Sequence, residues 1–517
     1  MFKSYHQHIY FTGLSLLAVS LPLSIFLLSI AMFILTVNWL LENNFRQKLE
    51  LARNRKSIVA FIIIYVVHLL GMLYSIDWTY GIHDLKIKLP LLILPLIIGT
   101  SKPLDEKKLE QILLFFCGAV LLSTLISMGK LLGWWGTRVI DIRDISIFIS
   151  HIRLALMINM SIFILIWMIP RTSSIATKIL LIVSILWFVF FLIILKSLTG
   201  IFILAMLALF FGFRKVLRSQ NLIARWFIVV GSALVVLMAA TYITHSISKF
   251  YYKEKIDLSN LDHSTKNGNA YTHNISSTDF ENGNYTWLYV CEKELEDNWN
   301  KRSNLKYKGT DLKGQELRYT LIRYLTSKGL RKDSMGVWSL DTKDIRNIEL
   351  GMANYIYSKN FSFYPRIYQL LWEIHQYKNG GNPSGHSFTQ RIEYMKTAKN
   401  IIHDNFWIGA GTGDVAVAFK EQYIKDNSKL VERWRLRAHN QLITFFLTFG
   451  VIGFLIIFVS LIYPVFAEKK WHNYLMLLFL IVGFLSFLNE DTLETHAGIS
   501  FFSFFYAMFL YNTQSKQ

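Results

Sequence analysis

Residues 441–466 read QLITFFLTFGVIGFLIIFVSLIYPVF, a run without Asp, Glu, Lys or Arg, and Arg435-Leu436-Arg437-Ala438-His439-Asn440 stands directly before it. A helix needs about 20 apolar residues to cross a hydrocarbon core of about 30 Å, so this run predicts a membrane span with a polar segment arriving at its first turn. Similar runs lie at 9–22, 24–42, 57–74, 84–100, 109–132, 145–169, 178–195, 197–213, 226–244, 472–488 and 497–512. The chain is thus expected to be an all-α polytopic membrane protein of about twelve helices. Its composition agrees, with 53% hydrophobic residues and a mean hydropathy of +0.35, values outside the range of a soluble enzyme with a polar surface.

The formal net charge of +19 would suggest nucleic acid in a soluble protein, but here the cations collect in short connections. Arg46, Lys48, Arg53, Arg55 and Lys56 precede the 57–74 run, and Lys102, Lys107, Lys108, Arg171, Lys178, Arg214, Lys215, Arg218, Arg225, Lys469 and Lys470 fall in connections of the same parity. Basic connections stay cytoplasmic, so the parity puts both termini inside and the long polar segment outside. The first apolar run continues past residue 22 with no small-residue cleavage site, which predicts a retained N-terminal helix rather than a cleaved signal peptide. Cys117 and Cys291 should sit at different depths, so no disulfide framework is expected.

The expected division is 1–244 for helices one to nine, 245–440 for a periplasmic loop domain, and 441–517 for helices ten to twelve. The loop is rich in aromatic residues and too long for a plain connection, so it should fold. Apolar periodicity predicts helices over Ile345–Tyr357, Tyr364–Tyr377 and Phe388–His403, whereas Ser259–Gly283 reads as loop.

Candidate site residues follow from position. Arg153 lies in the 145–169 run; a cation at membrane depth costs at least about 2.5–3.5 kcal/mol, which favours a polar cavity with an anionic partner over a snorkelling side chain. Its expected depth is a couple of turns below the outer surface. Lys196 ends the 178–195 run, before Ser197-Leu198-Thr199-Gly200; an interfacial lysine at a tight turn and a ligand-binding lysine are equally compatible with that place. Arg391 stands on a helical stretch followed by Gly409-Ala410-Gly411-Thr412-Gly413-Asp414. With no strand before it, this glycine alternation is a tight turn and no dinucleotide site; spacing alone leaves Arg391 a solvated or salt-bridged residue. His439-Asn440 stands at the water–lipid boundary. An isolated histidine is most often structural, but an unperturbed pKa near 6.5 also suits a general base. Asn440, Glu490 and Asp491 are secondary candidates, as are Asp77, Glu494 and His496, all equally readable as caps or anchors. Neither a P-loop nor a spaced Cys/His set is present, so no metal and no cofactor are expected.

Three pieces together resemble the O-antigen ligase and Wzy-type polymerase superfamily, in the long-loop version of Bacteroidetes-like bacteria: Arg391 through Asp414, with its Arg, aromatic and Gly-x-Gly-x-Gly order; Ala438-His439-Asn440 followed by Phe449-Gly450-Val451-Ile452-Gly453; and Arg153-Leu154-Ala155-Leu156. The resemblance covers most of the chain. It implies a GT-C-like membrane fold and transfer of a glycan from undecaprenyl diphosphate to an acceptor hydroxyl, either lipid A-core for a ligase or a carrier-linked repeat for a polymerase. It further implies that His439 and Arg391 act at the reaction and that Arg391 and Arg153 meet the diphosphate, with Lys196 or Arg153 to supply the charge of a missing turn arginine. Members commonly carry an arginine in the Ser-x-Thr-Gly turn where this chain has Leu198, and a lysine at 196 lacks arginine's planar fork. A protein O-oligosaccharyltransferase shares the pattern. A lipid or polysaccharide transporter is the alternative from another class, since twelve helices with an intramembrane arginine also suit translocation.

Overall fold

The computed structural model describes the chain apart from residues 1, 137–138, 140–141, 219, 360–361 and 514–517. Helices occupy most of each of the twelve apolar runs, but the 84–100 run is divided between Trp78–Lys88 and Pro90–Thr100, and residues 146–150 of the 145–169 run lie outside any helix. Among the described residues, seven are long and apolar enough to cross a membrane, and up to eight if Ile25–Leu41 and Phe45–Asn54, bent by 109°, make one span. The protein is a multi-pass helical membrane protein. It forms two compact units, residues 1–218 with 380–517, and residues 219–379. Segment 380–440, grouped by its polarity with the long loop, therefore packs with the helices of the first unit.

The first unit is built round His496–Asn512, a helix buried from Ala497 to Asn512. A helix apolar on every side belongs in a core, and the rings of Phe501, Phe502, Phe505 and Tyr506 pack there against Phe479, with Phe61 edge-on to Tyr506. Cys117 is buried and free, as is Cys291 in the second unit.

Gln441–Ala467 is broken at Gly450, whose φ of 62° lies in the left-handed region. A break frees backbone groups that a lipid environment cannot satisfy, and the 406–411 segment satisfies them. Ala410 and Gly411 donate to the Leu447 and Thr448 carbonyls, both at 2.9 Å, while Val451 and Ile452 donate to the Phe406 and Trp407 carbonyls at 2.8 and 3.3 Å. Gly409 (φ 74°) and Gly411 (φ 93°) let the two backbones meet. The same loop docks on Lys56–Gly71, where Thr412 Oγ1 donates to the His68 carbonyl at 2.6 Å. The glycine run is thus a turn after a helix, seated on a broken helix.

The 145–169 run departs from expectation at its start. Residues 142–145 form a single 3-10 turn, and the helix begins at His151, with Ser150 as its cap. Arg153 consequently lies in the first helical turn and not a couple of turns inside it. Apolar Ile145 and Ile149 continue the hydropathy pattern only because they are buried in the connection.

In the second unit, Glu292–Arg302, Leu317–Ser327 and Thr342–Glu349 surround Leu295, Trp299, Leu321 and Leu325. Phe280–Glu281 and Asn284–Tyr285 pair antiparallel. Buried Glu281 receives the Arg323 guanidinium at 2.7 Å and the Asn354 amide at 2.7 Å. The helix expected over Ile345–Tyr357 stops at Glu349. Gly351 (φ 73°) donates to the Ile348 carbonyl and Met352 to that of Asn347, both at 2.9 Å, which is a Schellman stop. Leu222–Tyr251, carrying the ninth apolar run, also belongs to this unit.

Candidate active site

Three helix ends of the first unit meet at Glu490. The Arg391 guanidinium, one turn before Tyr394 on Ser387–Asp404, donates from Nη2 to Glu490 Oε1 at 2.7 Å. The other oxygen, Oε2, lies 3.5 Å from His439 Nδ1. Glu490 also acts electrostatically on Arg153, whose Nη1 rests 3.3 Å from the capping Ser150 hydroxyl and whose buried Nε has no partner among the described residues. One carboxylate thus stands among two guanidiniums and an imidazole.

The backbone at His439 explains how the ring is aimed. Its φ of 50° is left-handed, a conformation that costs a β-carbon-bearing residue about 1–3 kcal/mol and persists only where neighbours enforce it. Asp491 supplies that enforcement: its Oδ2 accepts the His439 N–H at 3.1 Å and its Oδ1 the Thr444 hydroxyl at 2.7 Å. Asn440 then caps Gln441–Ala467, its Oδ1 accepting from Ile443 N at 3.1 Å while Nδ2 donates to the Leu488 carbonyl at 3.0 Å. The imidazole lies over Tyr394, centroids 5.6 Å apart, and the Tyr394 hydroxyl is anchored to the Trp434 carbonyl. Burial, with the Glu494 charge, holds the Asp491 carboxyl above the usual carboxylate range.

Behind this lies an ionic cluster round Glu494, a residue the sequence offered without its partners Lys88, Arg437 and Asp84. Glu494 Oε2 receives Lys88 at 2.9 Å and Arg437 at 2.8 Å, and its Oε1 receives the Gln441 amide at 3.0 Å. Lys88 also binds Asp84 at 2.6 Å, and Arg437 meets the Tyr80 hydroxyl. Burial pushes the Glu494 carboxyl up, but Lys88 and Arg437 overcome it and hold the group well below the usual glutamate value. The readable signal was Asp84 four residues before Lys88 at the start of an apolar run, a helical ion-pair spacing where isolated charge is costly.

Lys196 is not part of this gathering. It sits half-buried in the turn before Leu198–Arg218 with φ 49°, and burial lowers its ammonium below the ordinary lysine value. Among the described residues no side-chain bond joins it to Arg391, His439 or Glu490. The turn instead seats on the Arg153 helix, with Asn159 Nδ2 donating to the Gly200 carbonyl at 3.0 Å. Asp77 caps Trp78–Lys88 through Tyr80 N, and its own N–H donates to Asp414 at 2.8 Å, so it is a structural residue. His496 opens the final helix with a buried Nδ1 that lacks a partner among the described residues. Among those residues no group of three His, Cys, Asp or Glu side chains is arranged for a metal ion.

Residues 350–458 match the family model Wzy_C, described as O-antigen ligase. Over that stretch the chain is similar to the O-antigen ligases. The matched stretch holds Arg391, the glycine turn, His439 and the Gly450 break, whereas Arg153, Glu490 and Asp491 come to it from outside that stretch. No curated protein matches the chain.

Proposed function

We propose that the chain is a GT-C-like glycosyltransferase of the inner membrane that moves a glycan from undecaprenyl diphosphate to an acceptor hydroxyl, lipid A-core in the ligase reading, at the periplasmic end of its helices. The observation that carries this reading is the sharing of Glu490 between Arg391 and His439. Glu490 engages one nitrogen of Arg391 and leaves the other guanidinium donors for phosphate oxygens, the partners arginine binds most strongly. His439 Nδ1 makes no hydrogen bond among the described residues and lies 3.5 Å from Glu490; closing that gap on substrate binding leaves the Nε2 lone pair for a hydroxyl proton, the base-and-orienter logic of activated nucleophiles.

In the proposed step the acceptor oxygen forms a bond to the anomeric carbon from the face opposite the carrier. The bond from that carbon to the diphosphate oxygen breaks with inversion, and His439 takes the hydroxyl proton. The electron pair leaves on the diphosphate, where Arg391 and Arg153 stabilise the charge as it develops. Asp491 and Asn440 hold the backbone that aims the imidazole.

Reconstitution with a carrier-linked oligosaccharide and an acceptor glycolipid tests the reading. Covalent transfer is expected, with losses of about 100-fold or more for His439→Ala and Arg391→Ala in variants that still insert in the membrane. Movement of the glycan across the bilayer without transfer, or near-normal transfer by either variant, contradicts it. In cells lacking the gene, accumulation of carrier-linked polymer supports the ligase reading, and single-repeat products support a polymerase.

A further inference from the structure

The opposite end of the same helices holds a second site. Arg171 lies just past the end of the helix that carries Arg153 at its start, a separation of about 27 Å at about 1.5 Å per residue, close to the thickness of a hydrocarbon core of about 30 Å. The helix Tyr474–Asn489, whose far end presents Glu490, has its first residue there too, and Lys469 follows the helix that His439 precedes. Between these ends is a cavity of about 640 Å³, within the range of built ligand sites.

Its rim is basic: Arg171, Arg214, Lys215, Arg218 and Lys469 line it, against the carboxylates Asp105 and Glu106. Glu106 is spent on Arg171, with Glu110 beside it, at 3.8 and 3.7 Å, and Asp105 faces Lys108 at 3.7 Å. Arg214 donates from Nη2 to the His472 carbonyl at 2.8 Å, while its buried Nη1 has no partner among the described residues. Arg218 stands near enough to repel it. Like charges gathered round an unsatisfied guanidinium nitrogen call for an anion. Another part of the wall is apolar, formed by Leu109, Phe163, Phe211 and the exposed Ile166, and a small soluble anion would leave it bare.

We propose that this cavity binds an anionic glycerophospholipid of the leaflet opposite the Arg391–His439 site, its phosphate among Arg214, Lys215 and Arg218 and an acyl chain along Phe163 and Phe211. The assignment is independent of the transfer reaction. It rests on the pairing of a cation-rich rim with an apolar wall, which suits a headgroup and a chain in one molecule.

Lipid retention by the full chain, measured by native mass spectrometry in mixed micelles of phosphatidylglycerol or phosphatidylcholine, tests it. Phosphatidylglycerol should be held selectively, and the double variant Lys215→Gln/Arg218→Gln, at two exposed positions, should weaken its affinity by roughly 30-fold. Ile166→Trp, which fills the apolar wall with the charges intact, should also lower retention, and millimolar inorganic phosphate should not displace the lipid. Equal retention of both lipids, no change in either variant, or displacement by phosphate alone, which would mark a soluble-anion site, each overturns the proposal.

Discussion

Glu490 joins residues that no spacing rule connects, since the glycine turn and the helices Val415–Lys425, Gln441–Ala467 and Tyr474–Asn489 separate it from the Arg391 helix. Replacing it by Gln keeps the shape and removes the charge that faces His439 at 3.5 Å and pairs with Arg391. Transfer by Glu490→Gln should show kcat reduced about tenfold or more with KM for the carrier not raised; an unchanged kcat would detach Glu490 from the imidazole. Glu494 is a matter of stability. Because its folded value lies below the ordinary 4.5, its contribution is complete above about pH 4.5 and is lost as the pH falls through the folded value. Glu494→Gln leaves Lys88 and Arg437 without their shared anion and should cost about 3–5 kcal/mol, seen as a lower Tm in detergent at neutral pH and a weaker acid dependence below pH 4.5. A Tm equal to that of the parent would show that Asp84 and solvent suffice. Asp491 acts with the opposite sign, since its raised value makes ionisation a cost that grows as the pH rises. At this scale the sequence offered His439, Glu490 and Asp491 as candidates because they sit at the edges of apolar runs, and Arg391 only through the resemblance of its segment to a known family. It offered no reason to link them, and Arg437 passed as one more cation in a basic stretch.

The helix Gln441–Ala467 and the loop before it form one construction. A β-carbon on Gly409 would stand 2.3 Å from Phe449 N, and one on Gly450 2.2 Å from the Trp407 carbonyl carbon, both backbone atoms that cannot swing away. Gly409→Ala and Gly450→Ala should therefore each lose more than the roughly 1–3 kcal/mol of a strained φ alone. Gly268→Ala is the comparison, having φ 79° with nothing within 4 Å of the added carbon. Thermal unfolding should rank Gly268→Ala well above both, and equal Tm values would remove the loop from the helix break. Hydropathy revealed the helix, and glycine alternation revealed the turn. Their pairing was hidden because it is made by backbone groups, which leave no side-chain pattern. The start of the Arg153 helix was misjudged for a related reason, since a buried connection and a membrane helix are equally apolar.

For the whole molecule, the expected twelve spans stand against seven helices, or up to eight, long and apolar enough to cross a membrane among the described residues, but the multi-pass helical character was legible, because the bilayer imposes length and hydropathy together. The grouping of residues 380–440 with the helices was not, since that segment is as polar as the separate unit before it. The orientation read from the basic connections makes a direct prediction. With Cys117 and Cys291 buried, Asn267→Cys in the second unit and Ser173→Cys in the basic connection after Arg171 provide exposed thiols. An impermeant maleimide should label position 267 in intact spheroplasts and position 173 only after lysis; labelling of both from the same side would overturn the orientation.

The division of labour between arginine and histidine is tested most directly by measuring carrier binding and glycan transfer on the same variants in nanodiscs. Arg391→Ala should lose affinity for polyprenyl diphosphate along with transfer, whereas His439→Ala should bind the carrier like the parent chain and transfer nothing. Equal loss of carrier binding by both variants, or transfer by His439→Ala, would contradict the account.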